Sequence, residues 1–292
     1  MSITGKQRAA GWMYLAPATI LIFIMSFWPI IQAVITSFKT GSSANMQWAN
    51  PLTYNYTRMF QDAVFKRSIG NTFLYLIIEV PIMLVLAILL AQLLNNKHLK
   101  FKGLFRTCVF LPCATSLVSY ALIFKSLFAT QGLINTILVK LGILENNFNF
   151  LGTGWSAKII IIVALIWRWT GYNMVFYLAG LQNIDYSVYE ASYIDGATPF
   201  QQFMKITIPL LKPTILLTAI MSTSGTLQLF DESVNLTSGG PGKSTMTLAH
   251  YVYNISFVET PKFNYAAAIS VFILVSVAFL SAIQMKVGDK RD

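Results

Sequence analysis

The sequence predicts an all-α, polytopic membrane protein with six transmembrane helices, and three observations carry that prediction. Charged residues make up 11% of the chain and hydrophobic residues 55%, whereas a soluble domain carries about a quarter charged residues. The apolar residues fall into runs long enough to cross a hydrocarbon core of about 30 Å. Those runs are unbroken, without the alternation of a barrel strand, so helices are the way this backbone satisfies its hydrogen bonds in lipid.

The first run, about 11–38, follows Lys6 and Arg8, and Ala16-Pro17-Ala18 imitates a signal-peptide cleavage site. It continues to Phe38, too far for a signal core, and reads as a retained span. Residues 1–10 read as a tail and 11–292 as one transmembrane domain. Span two, about 71–94, places Glu79 next but one to Pro81. Span three, about 104–128, has Lys125 near its outer end and holds Cys108 and Cys113, which a helix points in different directions. No disulfide framework or metal site follows from them. His98 and His250 read as interfacial or loop residues, not ligands. Span four, about 157–181, carries Trp167-Arg168-Trp169-Thr170-Gly171-Tyr172-Asn173, with Arg168 near mid-depth and Gly171 expected to loosen the helix. Span five, about 214–233, carries Ser222, Thr223, Ser224, Gly225, Thr226, Gln228, Asp231 and Glu232, a run suited to a wet cavity. Span six covers about 265–285.

An even number of spans puts both ends on one side. Eleven Lys and Arg flank that side and seven the other, and the short basic loop at 95–106 weighs most. The positive-inside rule then places both termini in the cytoplasm. The formal charge of +10 belongs to this bias and to anionic headgroups, not to nucleic acid. Trp48, Trp155 and Tyr265 fit an outer aromatic girdle.

The same rule puts the loop between spans four and five, about 182–213, in the cytoplasm. Ser187 with Glu190 reads as one capping box, and Thr198 with Gln201 as another, with Pro199 at the first helical position. Gly196 between them permits a sharp bend. Pro209 and Pro213 are expected to break the following helix near membrane re-entry. The loop is therefore a stiff projection of two short helices, presenting Tyr189, Ala191, Ile194 and Phe203. Such a pair also suits the headgroup interface, with Glu190 merely capping.

Glu190-Ala191-Ser192, then Asp195-Gly196-Ala197, then Phe203, Ile206 and Pro209, resembles the E-A-A loop of importer-type ABC permeases. The one departure is Ser192 in place of the second alanine. The resemblance implies that Glu190, Ala191, Asp195, Gly196 and Phe203 couple the chain to a separate ATPase, and that Glu190 meets a basic residue there. It further implies that ATP and Mg are bound by that ATPase and that this chain carries no cofactor and is no enzyme. Gly242-Lys243-Ser244 imitates the end of a phosphate-binding loop, but Thr237 stands where that motif needs glycine, and Pro241 lacks the N–H a phosphate cradle would use.

Polar residues inside spans are costly and are functional candidates. Aromatic faces beside neutral hydrogen-bonding groups suit a sugar, which stacks its C–H faces on rings. Trp169, Tyr172, Asn173, Gly225, Thr226 and Gln228 are the candidates for a substrate path. Arg168, Glu79 and Asp231 either line it or pair within the bundle. Trp167 with Gly171-Tyr172, and Leu236-Thr237 with Gly239-Gly240-Pro241-Gly242, resemble the maltose-type branch of binding-protein-dependent carbohydrate permeases, which includes glycerol-phosphate importers. That likeness implies that Tyr172 and the stretch Gly225, Thr226 and Gln228 contact sugar. It lacks the paired asparagines of the maltose permease. It also implies a type I importer fold and a heterodimeric permease pair. The other partners would be two copies of a cytoplasmic ATPase, an extracellular or periplasmic sugar-binding protein at the outer loops 39–70 and 234–264, and the bilayer of a bacterial inner membrane. Rival readings are a permease for glycerol phosphate or an amino acid with Arg168 as anion contact, a lone ion-coupled carrier using Glu79, and a scaffold without transport.

Overall fold

The computed structural model describes residues 5–42, 45–96 and 99–288, with side chains from Gly11 onward. Lys97, His98, Lys290 and Arg291 lie outside the described residues, and Lys6 and Arg8 lie where only backbone is described. In chain order the elements are α1 (Gly5–Ile22), α2 (Trp28–Ser37), a hairpin β1 (Lys39–Ser42) and β2 (Asn45–Trp48), α3 (Tyr54–Gln61), α4 (Ala63–Leu94), α5 (Lys102–Ala114), α6 (Leu117–Leu127) and α7 (Leu133–Lys140). Then come α8 (Gly154–Gln182), α9 (Tyr186–Ile194), α10 (Pro199–Gln202), α11 (Ile208–Leu227), α12 (Asp231–Asn235), α13 (Leu248–Tyr253) and α14 (Phe263–Gly288). Among the described residues, five helices are long and apolar enough to cross a membrane: Gly11–Ser37, Ala63–Leu94, Gly154–Gln182, Pro199–Leu227 and Phe263–Gly288. The pair α5 and α6 makes a sixth span if taken together, bent by 98°.

The third span is therefore two helices meeting at a sharp bend. Thr115 and Ser116 adopt extended ψ values of 152° and 137° after Pro112, and the Thr115 hydroxyl donates to the Pro112 carbonyl at 2.7 Å. A local hydroxyl bond thus replaces the helical one. A correction concerns Pro209 and Pro213, which do not break the helix. Phe203–Thr207 form one wide π-helical turn, and α11 continues from it through both prolines. The extra residue in that turn supplies slack for a ring that has no N–H. The second loop helix is therefore the start of span five.

The chain forms two compact units. The first is Met1–Asp62 with Val252–Phe272. In it the hairpin pairs Lys39 with Trp48, and Asn55 donates from one amide to the carbonyls of Ser37 and Lys39, at 2.8 and 2.7 Å. Tyr265 is buried, donates to Asp62 at 2.7 Å and lies under the Arg58 guanidinium, so it belongs to the interior and not to an outer girdle. Trp48 is exposed.

The second unit is Ala63–Tyr251 with Ile273–Asp292, and Trp155 is exposed on it. Its core joins one stripe of α4 (Val80, Met83, Leu84, Ala87, Ile88, Ala91) to Met174, Tyr177, Leu178 and Leu181 of α8 and Leu211 of α11. The three- and four-residue spacings are those of one helix face. Gly171 does not loosen α8, which runs uninterrupted. A Cβ there would collide with the Val109 carbonyl of α5, so the glycine permits close helix approach. His250 corrects another expectation: it is buried on α13, its Nδ1 2.8 Å from the Ser233 hydroxyl. The glycine-rich loop beside it is fastened to α4, where Asn71 donates to the Met246 carbonyl at 2.9 Å and Arg67 to that of Gly242 at 2.7 Å.

Candidate functional site

Two features of the second unit hold the residues singled out in the sequence. One is a cavity of about 310 Å³ formed by α4, α8, the C-terminal half of α11, the turn that follows and the first residues of α6 and α12. Such volumes are typical of small-ligand sites. Glu79, Trp169, Tyr172, Asn173, Gly225, Thr226, Gln228 and Asp231 all line it. The heptad-like offset of Trp169, Tyr172 and Asn173 on α8 places them on one face. Trp169 and Tyr172 meet edge to face with ring centroids 5.7 Å apart.

The polar groups are held at defined places. Thr226 donates its hydroxyl to Glu79 at 3.1 Å, joining α11 to α4. Gln228 donates to the carbonyl and hydroxyl of Ser224, at 3.1 and 3.2 Å. Asn173 donates to the Trp169 carbonyl at 3.0 Å. At Gly225 a Cβ would meet nothing within 4 Å, so the protein's own packing does not require the space above it. Glu232 also lines the cavity and accepts the phenolic hydrogen of Tyr120.

Arg168 stands apart. It does not line the cavity; its guanidinium turns to the bend between α5 and α6. There it donates to the carbonyls of Pro112 and Cys113 and to the Thr115 hydroxyl, each at 3.4 Å. Tyr120 and Trp169 cover it at 4.6 and 5.4 Å. In this arrangement a buried cation donates to the carbonyls of a broken helix end and lies against two rings. Missed in the sequence were Tyr120 and the apolar lining residues Met83, Leu117, Leu165, Met221 and Phe230. No signal marks these, because apolar residues in apolar helices look alike.

The second feature is the elbow of α9 and α10. Its first cap is Asp185, not Ser187: the Asp185 carboxylate accepts from the Ser187 N–H at 3.0 Å, which holds its pKa below the usual range. The second cap is as expected, Thr198 and Gln201 exchanging bonds of 2.8 and 3.3 Å. Gly196 turns the chain at φ +80°. Ser192, the departure from E-A-A, accepts from the Gln202 amide at 2.9 Å and so ties the two helices together. Glu190, Ala191, Asp195 and Gly196 are exposed, as are Tyr193, Ile194 and Phe200. Phe203 is half-buried against the α4–α8 core, so it anchors the elbow and is not presented by it. Behind Glu190 lies an open groove of about 1270 Å³ bordered by Lys102 and Arg106.

Comparison with known proteins decides the family. Residues 83–291 match the binding-protein-dependent transport system inner membrane component family. The chain belongs to this family. The permease is a multi-pass inner-membrane subunit of a transport system that works with a binding protein; it is not an enzyme, and ATP is bound by a partner ATPase. It is 46% identical over 283 residues to the lactose transport system permease protein LacF of Rhizobium radiobacter, covering 96% of this chain and 94% of that one. It is 31% identical over 283 residues to the arabinooligosaccharides transport system permease protein AraP of Halalkalibacterium halodurans, covering 96% and 88%. The permease shares its fold with a chain of a bacterial ABC transporter involved in the import of the acidic polysaccharide alginate, at TM-score 0.86 and 23% identity over 98% of this chain and 97% of that one.

Proposed function

We propose that this chain forms the sugar path of a carbohydrate importer, with Trp169, Tyr172, Asn173, Gly225, Thr226 and Gln228 contacting the sugar. The observation that carries this reading is their convergence on one cavity with free space over Gly225. Paired aromatic rings beside neutral amides and hydroxyls match a sugar's alternating apolar and polar faces. Relatives named for lactose and arabinooligosaccharides support the same class. Both termini and the elbow face the cytoplasm in this reading, where Glu190, Ala191, Asp195 and Gly196 dock on the ATPase. Hydrolysis then moves α9, and through the Phe203 anchor it moves α11 and the cavity wall. A second, different permease and two ATPase copies complete the importer.

The test is sugar uptake by the reconstituted importer. Tyr172→Ala and Gln228→Ala are expected to weaken sugar affinity at least tenfold each, through lost stacking and hydrogen bonding. Unchanged affinity in both variants removes these residues from the path.

A further inference from the structure

The charge of the cargo is written in the same cavity. Its lining contains the three acids Glu79, Asp231 and Glu232 and, among the described residues, no Lys, Arg or His. Glu79 and Glu232 are buried. Arg168, the basic side chain near mid-depth, stays outside this lining: it donates to the carbonyls of the α5 end and is covered by two rings. The lining therefore offers a cargo carboxylate, sulfonate or phosphate no cation in contact within a confined space. Sugar hydroxyls, in contrast, are donors, and carboxylate oxygens accept them.

From this juxtaposition we infer that Glu79 and Asp231 are specificity-determining residues that admit neutral sugars and reject acidic ones. The inference rests on the sugar reading above and narrows it. A shared fold does not set cargo charge; the lining does. At an effective dielectric of about 20, a like charge about 6 Å away costs roughly a hundredfold in affinity.

The experiment is equilibrium binding to the purified permease–ATPase complex without the binding protein, so that only this cavity discriminates. The probes are lactose and its analogue carrying a carboxylate at the galactosyl C6. The expected result is lactose binding with the acidic analogue about a hundredfold weaker. In Glu79→Gln/Asp231→Asn the ratio of the two affinities narrows to less than about tenfold. Equal affinities in the native complex overturn the inference whether or not the variant assembles, and so does a ratio that the variant leaves in place. Binding of neither sugar by a complex with intact ATPase activity removes the sugar reading, and this inference with it.

Discussion

Replacing Arg168 by Met tests whether the guanidinium holds the broken third span or serves the path. The substitution keeps an unbranched side chain of similar length but removes five N–H donors. Two ring contacts, at 4.6 and 5.4 Å, are lost at about 0.5–1 kcal/mol each. The hydrogen bonds are long, 3.4 Å, and sit at the weak end of their range, about 0.5 kcal/mol each. Pro112 keeps the Thr115 hydroxyl as a partner, whereas the Cys113 carbonyl loses its side-chain donor. Against these losses stands relief from burying a cation, which offsets part of them. The balance is a destabilisation of about 2 kcal/mol, read as a fall of about 2–4 °C in the melting temperature of the purified complex. Arg168→Lys should recover little, because an ammonium cannot reproduce the planar fork. Sugar affinity should move less than about threefold. A melting temperature that stays put while affinity for a sugar or an anion collapses would refute the structural role.

Two further outcomes follow from the elbow and the glycine-rich loop. Glu190→Lys reverses an exposed charge on α9 and should abolish ATP-driven uptake while leaving the melting temperature within about 1 °C, since exposed surface charges contribute little to stability. Unaltered uptake would count against docking through Glu190. Burial pushes the His250 imidazole below its ordinary pKa, so the folded protein favours the neutral ring. The stability it contributes is present above about pH 6.5 and is lost as pH falls below that value, because the unfolded chain then binds the proton more readily. Thermal melts at pH 7.5 and 5.5 should show this drop, and His250→Asn should reduce it; the same drop in both proteins would remove His250 as its source.

The spans were legible because an apolar run in lipid has few alternatives to a helix. The cavity was legible for a related reason: polar residues inside such runs must find water, ligand or one another, and α8 and α11 bring Tyr172, Asn173, Thr226 and Gln228 together. What escaped the sequence depended on local backbone choices. Pro112 in the last turn of α5 ends a helix, whereas Pro209 and Pro213 are absorbed by one wide turn, and composition does not distinguish the cases. Asp185 won the cap from Ser187 because an N-cap is set by where the chain leaves extended geometry, two residues earlier than the box pattern suggested. Phe203 changed from presented to anchoring once α10 proved continuous with span five. The sequence does not mark the burial of His250 and Tyr265, because burial of a polar ring depends on partners, Ser233 and Asp62, that lie well away in sequence.

The most direct test of the path is thiol labelling of Gly225→Cys in a Cys108→Ala/Cys113→Ala background. A Cβ at 225 meets nothing within 4 Å, so the variant should assemble and transport. If the imported sugar occupies this cavity, that sugar at saturation slows the reaction of the new thiol with a small methanethiosulfonate by at least tenfold, a ratio that 90% occupancy of the space above it would produce. A labelling rate indifferent to the sugar, in a complex that still imports it, would show that the sugar travels elsewhere.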